Sequence, residues 1–472
     1  MADRCYDYII VGSGAGGGPL AHWLTAAGHS VLMLEAGSRF QPHEYPDNEL
    51  EANNRLMWNG GMDASRDAGF MFLRGKVFGG GTVINQALLD RFDARALDSW
   101  AERSGLDEFS VDAMARHYDA VESELSLEHI PRENGNRNAE LYVDGFEKLG
   151  YGWAPLRRGQ SHCRVDQGND CIRCLGGCPR ASKQSMPVTF LARAEQQGLE
   201  VVTDCQVDGL SHGRQQVTVF GRQQGRARRF FGRRCVLAAG SLGSTRILQA
   251  SGLAPELPAL GKGFYCHPQF VTLALYDRII DAHKGSFQAV KSDDERFRAA
   301  GFKLENVFMG PSGAAYLMPG FGAKHRDLMR AYRNLACIEV AVRDVTPGRI
   351  GGDGRGGLRI DKRVGVPERQ RARAGLNVIH DIYRATGARK VVHSPVRIGL
   401  HLMGGCAQGR HRATSVVNPD FQVHGLPNLY VMDASLFPDA PGINPSLSIM
   451  ALAHRAAERL LGEPLNARPE AA

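Results

Sequence analysis

The sequence predicts an α/β protein with a Rossmann-like domain at its start, and three neighbouring observations carry that reading. Tyr8 to Val11 is a run of β-branched and aromatic residues, the composition of a buried strand. It runs into Gly12-Ser13-Gly14-Ala15-Gly16-Gly17, and an apolar segment with helical length follows. Glu35 stands eighteen residues beyond Gly17, at the end of the apolar run Val31 to Leu34. A G-x-G-x-x-G between strand and helix, with an acid at this distance, is the pattern of a dinucleotide cradle.

Each residue type has a physical task there. Gly12 permits the tight turn, Gly14 lets a pyrophosphate approach the main chain, and Gly17 lets the helix lie close on the sheet. The helix presents its first N–H groups and its dipole to the phosphates, with Ser13 and Ala15 beside them. Glu35 is placed to accept hydrogen bonds from ribose hydroxyls, which disfavours a 2′-phosphate. These residues suit FAD and NAD alike.

Composition sets the outer limits. A chain of 472 residues, 43% hydrophobic and 23% charged, has ordinary soluble composition and room for two or three domains. The sequence has no run of 18 apolar residues and its start lacks a leader pattern, so the expectation is a cytoplasmic chain without a membrane span. The net charge of +7 is concentrated in arginine, with Arg222, Arg226, Arg228, Arg229, Arg233 and Arg234 around a glycine turn. Without interleaved stacking aromatics this reads as a solvated hairpin and not as a nucleic-acid surface. Of ten cysteines, Cys5, Cys205, Cys235, Cys266, Cys337 and Cys406 stand alone and read as buried small hydrophobes.

Further elements follow in chain order. From Gly37 to Asp63 no period is visible, which reads as a long surface connection. Gly79-Gly80-Gly81-Thr82 with Asn85 lets the backbone pass against a flat ring and donate to it; a helix start capped by Thr82 is the alternative. Residues 101–150 carry helical spacing at Met114, Tyr118, Val121, Leu141 and Phe146. Val188 to Gln197 reads as a helix, Leu199 to Thr203 and Arg234 to Ala239 as strands. Phe270 to Tyr276, Ala314 to Met318 and Leu335 to Val342 read as strands, and Pro367 to Gly387 as a helix.

Four separated blocks then carry a resemblance. They are the nucleotide motif with Glu35-Ala36-Gly37, the patch Gly75 to Asn85 followed by Asp98-Ser99-Trp100, the stretch Gly240 to Leu253, and a C-terminal pair. That pair is His401-Leu402-Met403-Gly404-Gly405-Cys406 and Asp433-Ala434-Ser435 with Gly442-Ile443-Asn444-Pro445. Together they resemble the glucose-methanol-choline (GMC) oxidoreductases, nearly end to end. Phe78, Thr245, Ala254, Gly405 and Gln408 depart from the usual residues. The resemblance implies a Rossmann-like FAD-binding domain (1–90, 187–265 and 398–472). It also implies a helical roof with a cysteine-rich insert (91–186) and a discontinuous α+β substrate domain (266–397). It implies FAD as the dinucleotide, held by Gly12 to Ala15, Gly17, Glu35, Ala36, Gly80, Thr82, Asn85, Val207, Asp433, Ala434, Asn444 and Pro445.

Cys163, Cys171, Cys174 and Cys178 crowd together, the last three as C-x2-C-x3-C before Pro179. The spacing resembles part of a ferredoxin run; four-thiolate zinc and reduced thiols are the alternatives. Some relatives that pass electrons to a carrier hold an iron-sulfur cluster in such an insert. The resemblance makes His401 and Asn444 the catalytic pair, although an isolated histidine is usually a satisfied core group and Asn before Pro also fits a helix cap. The implied reaction is oxidation of CH–OH to a carbonyl, with hydride passing to flavin N5 and His401 as base. A small-molecule alcohol is then the donor, and an electron-carrier protein or a quinone the acceptor. An oxygen-using oxidase and a non-redox lyase on the same fold are the alternative readings.

Overall fold

The computed structural model describes residues 4–130, 132, 135–163, 171–352 and 357–465. Two sheets organise it. The first grows from β1 (Cys5–Val11), α1 (Gly17–Ala26) and β2 (Val31–Leu34). β1 is flanked by β2 on one side and by a long strand from the middle of the chain on the other, both parallel. Parallel strands need a covering layer on both faces, so their residues are apolar throughout: Tyr8, Ile9, Ile10 and Val11 are all buried.

The remaining strands of this seven-stranded sheet are β3 (Glu200–Val202), β4 (Cys205–His212), β5 (Val217–Gln223), β6 (Arg226–Leu237) and a late strand, Leu429–Val431. The strand order is β3-β2-β1-β6-β5-β4, with Leu429–Val431 also on β6. The arginine-rich segment is the hairpin of β5 and β6, with Arg222, Arg226 and Arg229 exposed. After β6 comes α2 (Gly240–Ala250).

The second sheet has ten strands, and four of them matter here: β7 (Lys262–Leu275), β8 (Phe302–Asn306), β9 (Leu335–Val342) and β10 (Lys390–Met403). They run antiparallel in the order β10-β7-β9-β8. One face packs on a separate hydrophobic core that includes Tyr142, Phe146, Ile379 and Tyr383 from the helices Arg137–Leu149 and Val366–Ala385. The other face turns towards the first sheet. The chain closes with β11 (Leu429–Val431), the late strand of the first sheet, and α3 (Ser446–Leu461).

Three expectations need correction. Residues 37–63 are not a bare connection: Glu49–Leu56 is a helix, its Asn48 cap accepting from the Glu51 N–H at 2.9 Å. Only Ala52 and Leu56 are buried in it, too few to show a period. Ala314 to Met318 is not a strand but the end of the helix Pro311–Leu317, which opens on a proline directly after Gly310. Cys5 is exposed, while the other five isolated cysteines are buried. Among the described residues no helix is long and apolar enough to cross a membrane.

Candidate active site

Between the two sheets lies a cavity of about 1610 Å³, above the roughly 300–1000 Å³ usual for one small ligand. Its first-sheet wall is the glycine turn. Gly12 takes φ +105°, open to glycine alone at little cost, and a Cβ on Gly17 would collide with the Gly12 carbonyl oxygen. Gly17 therefore sits behind the wall and sets the close packing of α1 on β1. A Cβ on Gly14 meets no protein atom within 4 Å; it would take up cavity space instead. All the other residues assigned to the nucleotide line the cavity: Gly12, Ser13, Ala15, Glu35, Ala36, Gly80, Thr82, Asn85, Val207, Asp433, Ala434, Asn444 and Pro445.

Glu35 also ties the loops together. Its carboxylate accepts from Ser13 N–H at 3.1 Å, Ser13 Oγ at 2.5 Å and Gly37 N–H at 2.8 Å. Ser13 Oγ in turn accepts from the Gly79 N–H at 2.8 Å, joining the second glycine patch to the first. Burial raises the Glu35 carboxyl above its ordinary value, against these bonds. Asp433 plays the same part on the other side: it accepts from Gly240 N–H at 2.9 Å and Ser244 Oγ at 2.5 Å, fixing the start of α2. Thr82 does not cap a helix; its hydroxyl donates to the Gly79 carbonyl at 2.7 Å and accepts from Met186 N–H at 3.1 Å.

His401 reaches the cavity through a distortion of β10. Tyr265 pairs with Met403 but His267 with Leu400, so β10 carries an extra residue there, a β-bulge. His401 sits on it with φ +57°, a costly conformation for a residue with a Cβ, and bulges of this kind re-aim side chains beside functional sites. Its Nδ1 lies 2.9 Å from Nδ1 of His267, and Nε2 of His267 accepts from the Gly442 N–H at 3.0 Å. A neutral imidazole has one donor and one acceptor. His267 therefore carries its proton on Nδ1 and donates it to His401, which leaves the neutral His401 ring with its proton on Nε2. Burial, then the Lys303 charge, pushes His401 down to about 3; burial, then His401 and nearby cations, holds His267 well below the usual histidine range.

Asn444 does not cap α3: no side-chain cap bond is present there, and Pro445 occupies the cap position. Its Oδ1 instead accepts from Nζ of Lys303, which also pairs with Glu305. The Gly405 and Thr245 departures are one exchange of volume, since a Cβ on Gly405 would collide with Thr245 Oγ1. Gln408 ties down the following loop by donating to the Asn418 and Pro419 carbonyls, each at 3.1 Å.

The cysteine loop closes one rim. Cys174 and Cys178 are buried, and a hydrogen bond from Cys174 lowers the Cys178 thiol to about 5. Nζ of Lys183 donates to the Cys174 carbonyl at 2.6 Å and the Asn85 carbonyl at 2.7 Å, binding the loop to the cavity wall. Cys163 is half-buried, and the side chain of Cys171 lies outside the described residues. Among the described residues, the group with metal-ligand spacing is His117, His454 and Glu458, which sequence reading missed because α3 supplies two of them from far along the chain. There the two Nδ1 atoms lie 2.8 Å apart, and Arg116 holds Glu458 with two bonds of 2.6 Å.

A strand-turn-helix glycine cradle opening on a cavity between two sheets is the architecture of a dinucleotide-binding protein. The GMC oxidoreductase family matches in both its N-terminal part, over residues 53–269, and its C-terminal part, over residues 359–453. The chain belongs to that family and uses FAD. It is similar to the GMC-type oxidoreductase y4nJ of Sinorhizobium fredii, 29% identical over 99% of this chain and 96% of the relative. It is 25% identical to the long-chain-alcohol oxidase FAO3 of Arabidopsis thaliana over 96% of this chain and 67% of that one. The crystal structure of pyridoxine 4-oxidase from Mesorbium loti shares the fold, with a TM-score of 0.77, 17% identity, and 98% and 100% of the two chains covered.

The residues present fit FAD. The side-chain-free face at Gly14, the open face at Gly81 where a Cβ would also meet nothing, and the α1 N-terminus offer main-chain N–H groups to phosphates and a ring.

Proposed function

We propose that the protein oxidises a CH–OH group to a carbonyl, with His401 and Asn444 handling the hydroxyl. The observation that carries this is their convergence: a bulge turns His401, and Lys303 turns Asn444, to the same cavity. Bound FAD would supply the hydride acceptor.

The protein's part is to hold the hydroxyl and take its proton. Lys303 occupies Oδ1 of Asn444, which leaves Nδ2 to donate to the substrate oxygen and fix its direction. His401 takes the proton at Nε2. For Nε2 to be bare, the proton between the two Nδ1 atoms must belong to His401, and His267 can give it up only by releasing the Gly442 N–H. His267 is thus a positioning residue that sets when His401 is a base. Burial keeps His401 neutral at neutral pH, the form that serves as base once its proton lies on Nδ1.

For the acceptor, the cysteine loop favours an electron carrier, protein or quinone, reached through a metal cluster held by Cys163, Cys171, Cys174 and Cys178. The loop is bonded to the same wall as Asn85, which suits an exit path. A zinc site in the same thiols is the metal alternative. Dioxygen is the second reading, favoured because the relatives with named activities are oxidases. Adding primary and secondary alcohols to the FAD-loaded protein without oxygen tests the donor reading. Loss of the flavin absorption band is expected, and no loss with any alcohol contradicts it. Turnover on dioxygen alone with stoichiometric peroxide decides for the oxidase.

A further inference from the structure

Beyond the cavity wall α3 packs on the helix Val111–Glu122, where Tyr118 and Ser448 share a hydrogen bond of 2.6 Å. Further along, the two helices bring together side chains that the oxidation does not use. His454 and Glu458 stand four residues apart on α3 and so share one face of it, and His117 meets them from the other helix. All three are buried, at 3%, 7% and 3% exposure, and none lines the cavity. One ligand atom from each lies within 4.8 Å of the others. Two imidazole nitrogens with a carboxylate oxygen suit a first-row divalent transition ion, whereas magnesium and calcium take oxygen donors.

The distances bracket what such an ion needs. Two ligand atoms about 2.1 Å from a tetrahedral ion are about 3.4 Å from each other. Nδ1 of His117 is 2.8 Å from Nδ1 of His454 and 4.0 Å from Oε2 of Glu458, so a swing of about half an ångström in the His117 ring opens one gap and closes the other. Only one proton fits between the two Nδ1 atoms; an ion takes its place as that proton moves to the far nitrogen of its ring. Glu458 also keeps a lone pair for it. Its Oε1 is filled by Arg116 at 2.6 Å and the Leu465 N–H at 3.0 Å, but among the described residues Oε2 accepts from Arg116 alone, at 2.6 Å. Arg116 and Leu465 are then the outer partners that orient a ligating carboxylate. The Arg116 side chain is 57% exposed, which leaves this edge open to water for entry and for the fourth ligand.

We propose that His117, His454 and Glu458 bind a divalent transition ion of the zinc class, at a site separate from both the cavity and the cysteine loop, and that the ion clamps α3 to the helix Val111–Glu122. α3 begins directly after Asn444 and Pro445, and its Ser446 and Ile449 line the cavity. Trp23 of α1 packs edge-on against His454, with ring centres 4.7 Å apart. The ion thus ties the roof to the helix behind the catalytic loop and, through Trp23, to the nucleotide helix.

Zinc chloride is the probe. In crystals of the FAD-loaded wild type soaked with it, an anomalous zinc peak should lie about 2.1 Å from both Nδ1 atoms and from Oε2; this map needs no variant. By calorimetry zinc should bind the loaded wild type, and His454→Asn and Glu458→Gln should each weaken that binding by roughly a hundredfold or more, while both still reduce FAD at close to the wild-type rate. Zinc should raise the thermal midpoint of the wild type and not of these variants, and magnesium should raise neither. Zinc held by the cysteine loop is told apart because Cys174→Ser removes it and the two helix variants do not. No anomalous peak between the helices, or zinc binding that both helix variants keep in full, overturns the proposal and leaves a hydrogen-bonded histidine pair beside an arginine–glutamate pair.

Discussion

Glu339→Gln should stabilise the apoprotein, and by an amount that depends on pH. The Glu339 carboxyl is buried on β9 opposite Glu305 and titrates at about 8 against an ordinary 4.5, raised by burial and then by the Glu305 charge. Between those values the folded chain holds a proton that the unfolded chain releases, so stability is complete below 4.5 and is lost as pH rises through 8. Each pH unit in that window costs about 1.4 kcal/mol until the folded-state carboxyl itself titrates, so the loss is about 3 kcal/mol at pH 7 and about 4 kcal/mol at pH 8. The amide that Glu339→Gln introduces keeps the shape of the protonated acid and does not titrate. Urea denaturation followed by tryptophan fluorescence should give a variant advantage of under about 1 kcal/mol at pH 5 that grows to about 4 kcal/mol at pH 8. A difference that does not grow with pH, or a variant less stable than wild type at pH 8, refutes the reasoning about the two acids.

Two further outcomes follow from the walls of the cavity. Gly17→Ala places a methyl group against the Gly12 carbonyl oxygen; it should push α1 off β1 and lower FAD retention at least tenfold on gel filtration, and retention at the wild-type level would show that the turn has slack. Iron and zinc analysis of protein purified without oxygen should find iron with acid-labile sulfide, and Cys174→Ser should slow electron delivery to an artificial acceptor while sparing anaerobic flavin reduction. Zinc without iron, or neither metal, removes the cluster from the electron path.

What was legible in the sequence is what is local in it. The nucleotide cradle lies within one strand-turn-helix-strand run, so glycine spacing and Glu35 locate it from the residues alone. The hydrogen bonds that Glu35 makes to Ser13 and Gly37 stay inside the same run. The substrate end was illegible for the opposite reason. Lys303 and Asn444 meet across 141 residues of sequence, and Glu305 meets Glu339 only through strand register. His401 stands out as a residue, but its bulge depends on pairing with β7, and its partner His267 sits in a strand whose apolar pattern hides it. Ala314 to Met318 misleads because a short apolar run fits a strand and a buried helix equally well; Pro311 at the helix start is the signal that separates them.

The central claim is that His401 takes the hydroxyl proton in a cavity that otherwise holds FAD without it. Anaerobic stopped-flow reduction of FAD-loaded wild type and His401→Ala by the same alcohol tests this most directly. Reduction should be about two to four powers of ten slower in the variant, the range for loss of a positioned base, with FAD still bound. Reduction at the wild-type rate, or a variant that sheds its flavin or unfolds, would show that His401 is a core residue bonded to His267 and nothing more.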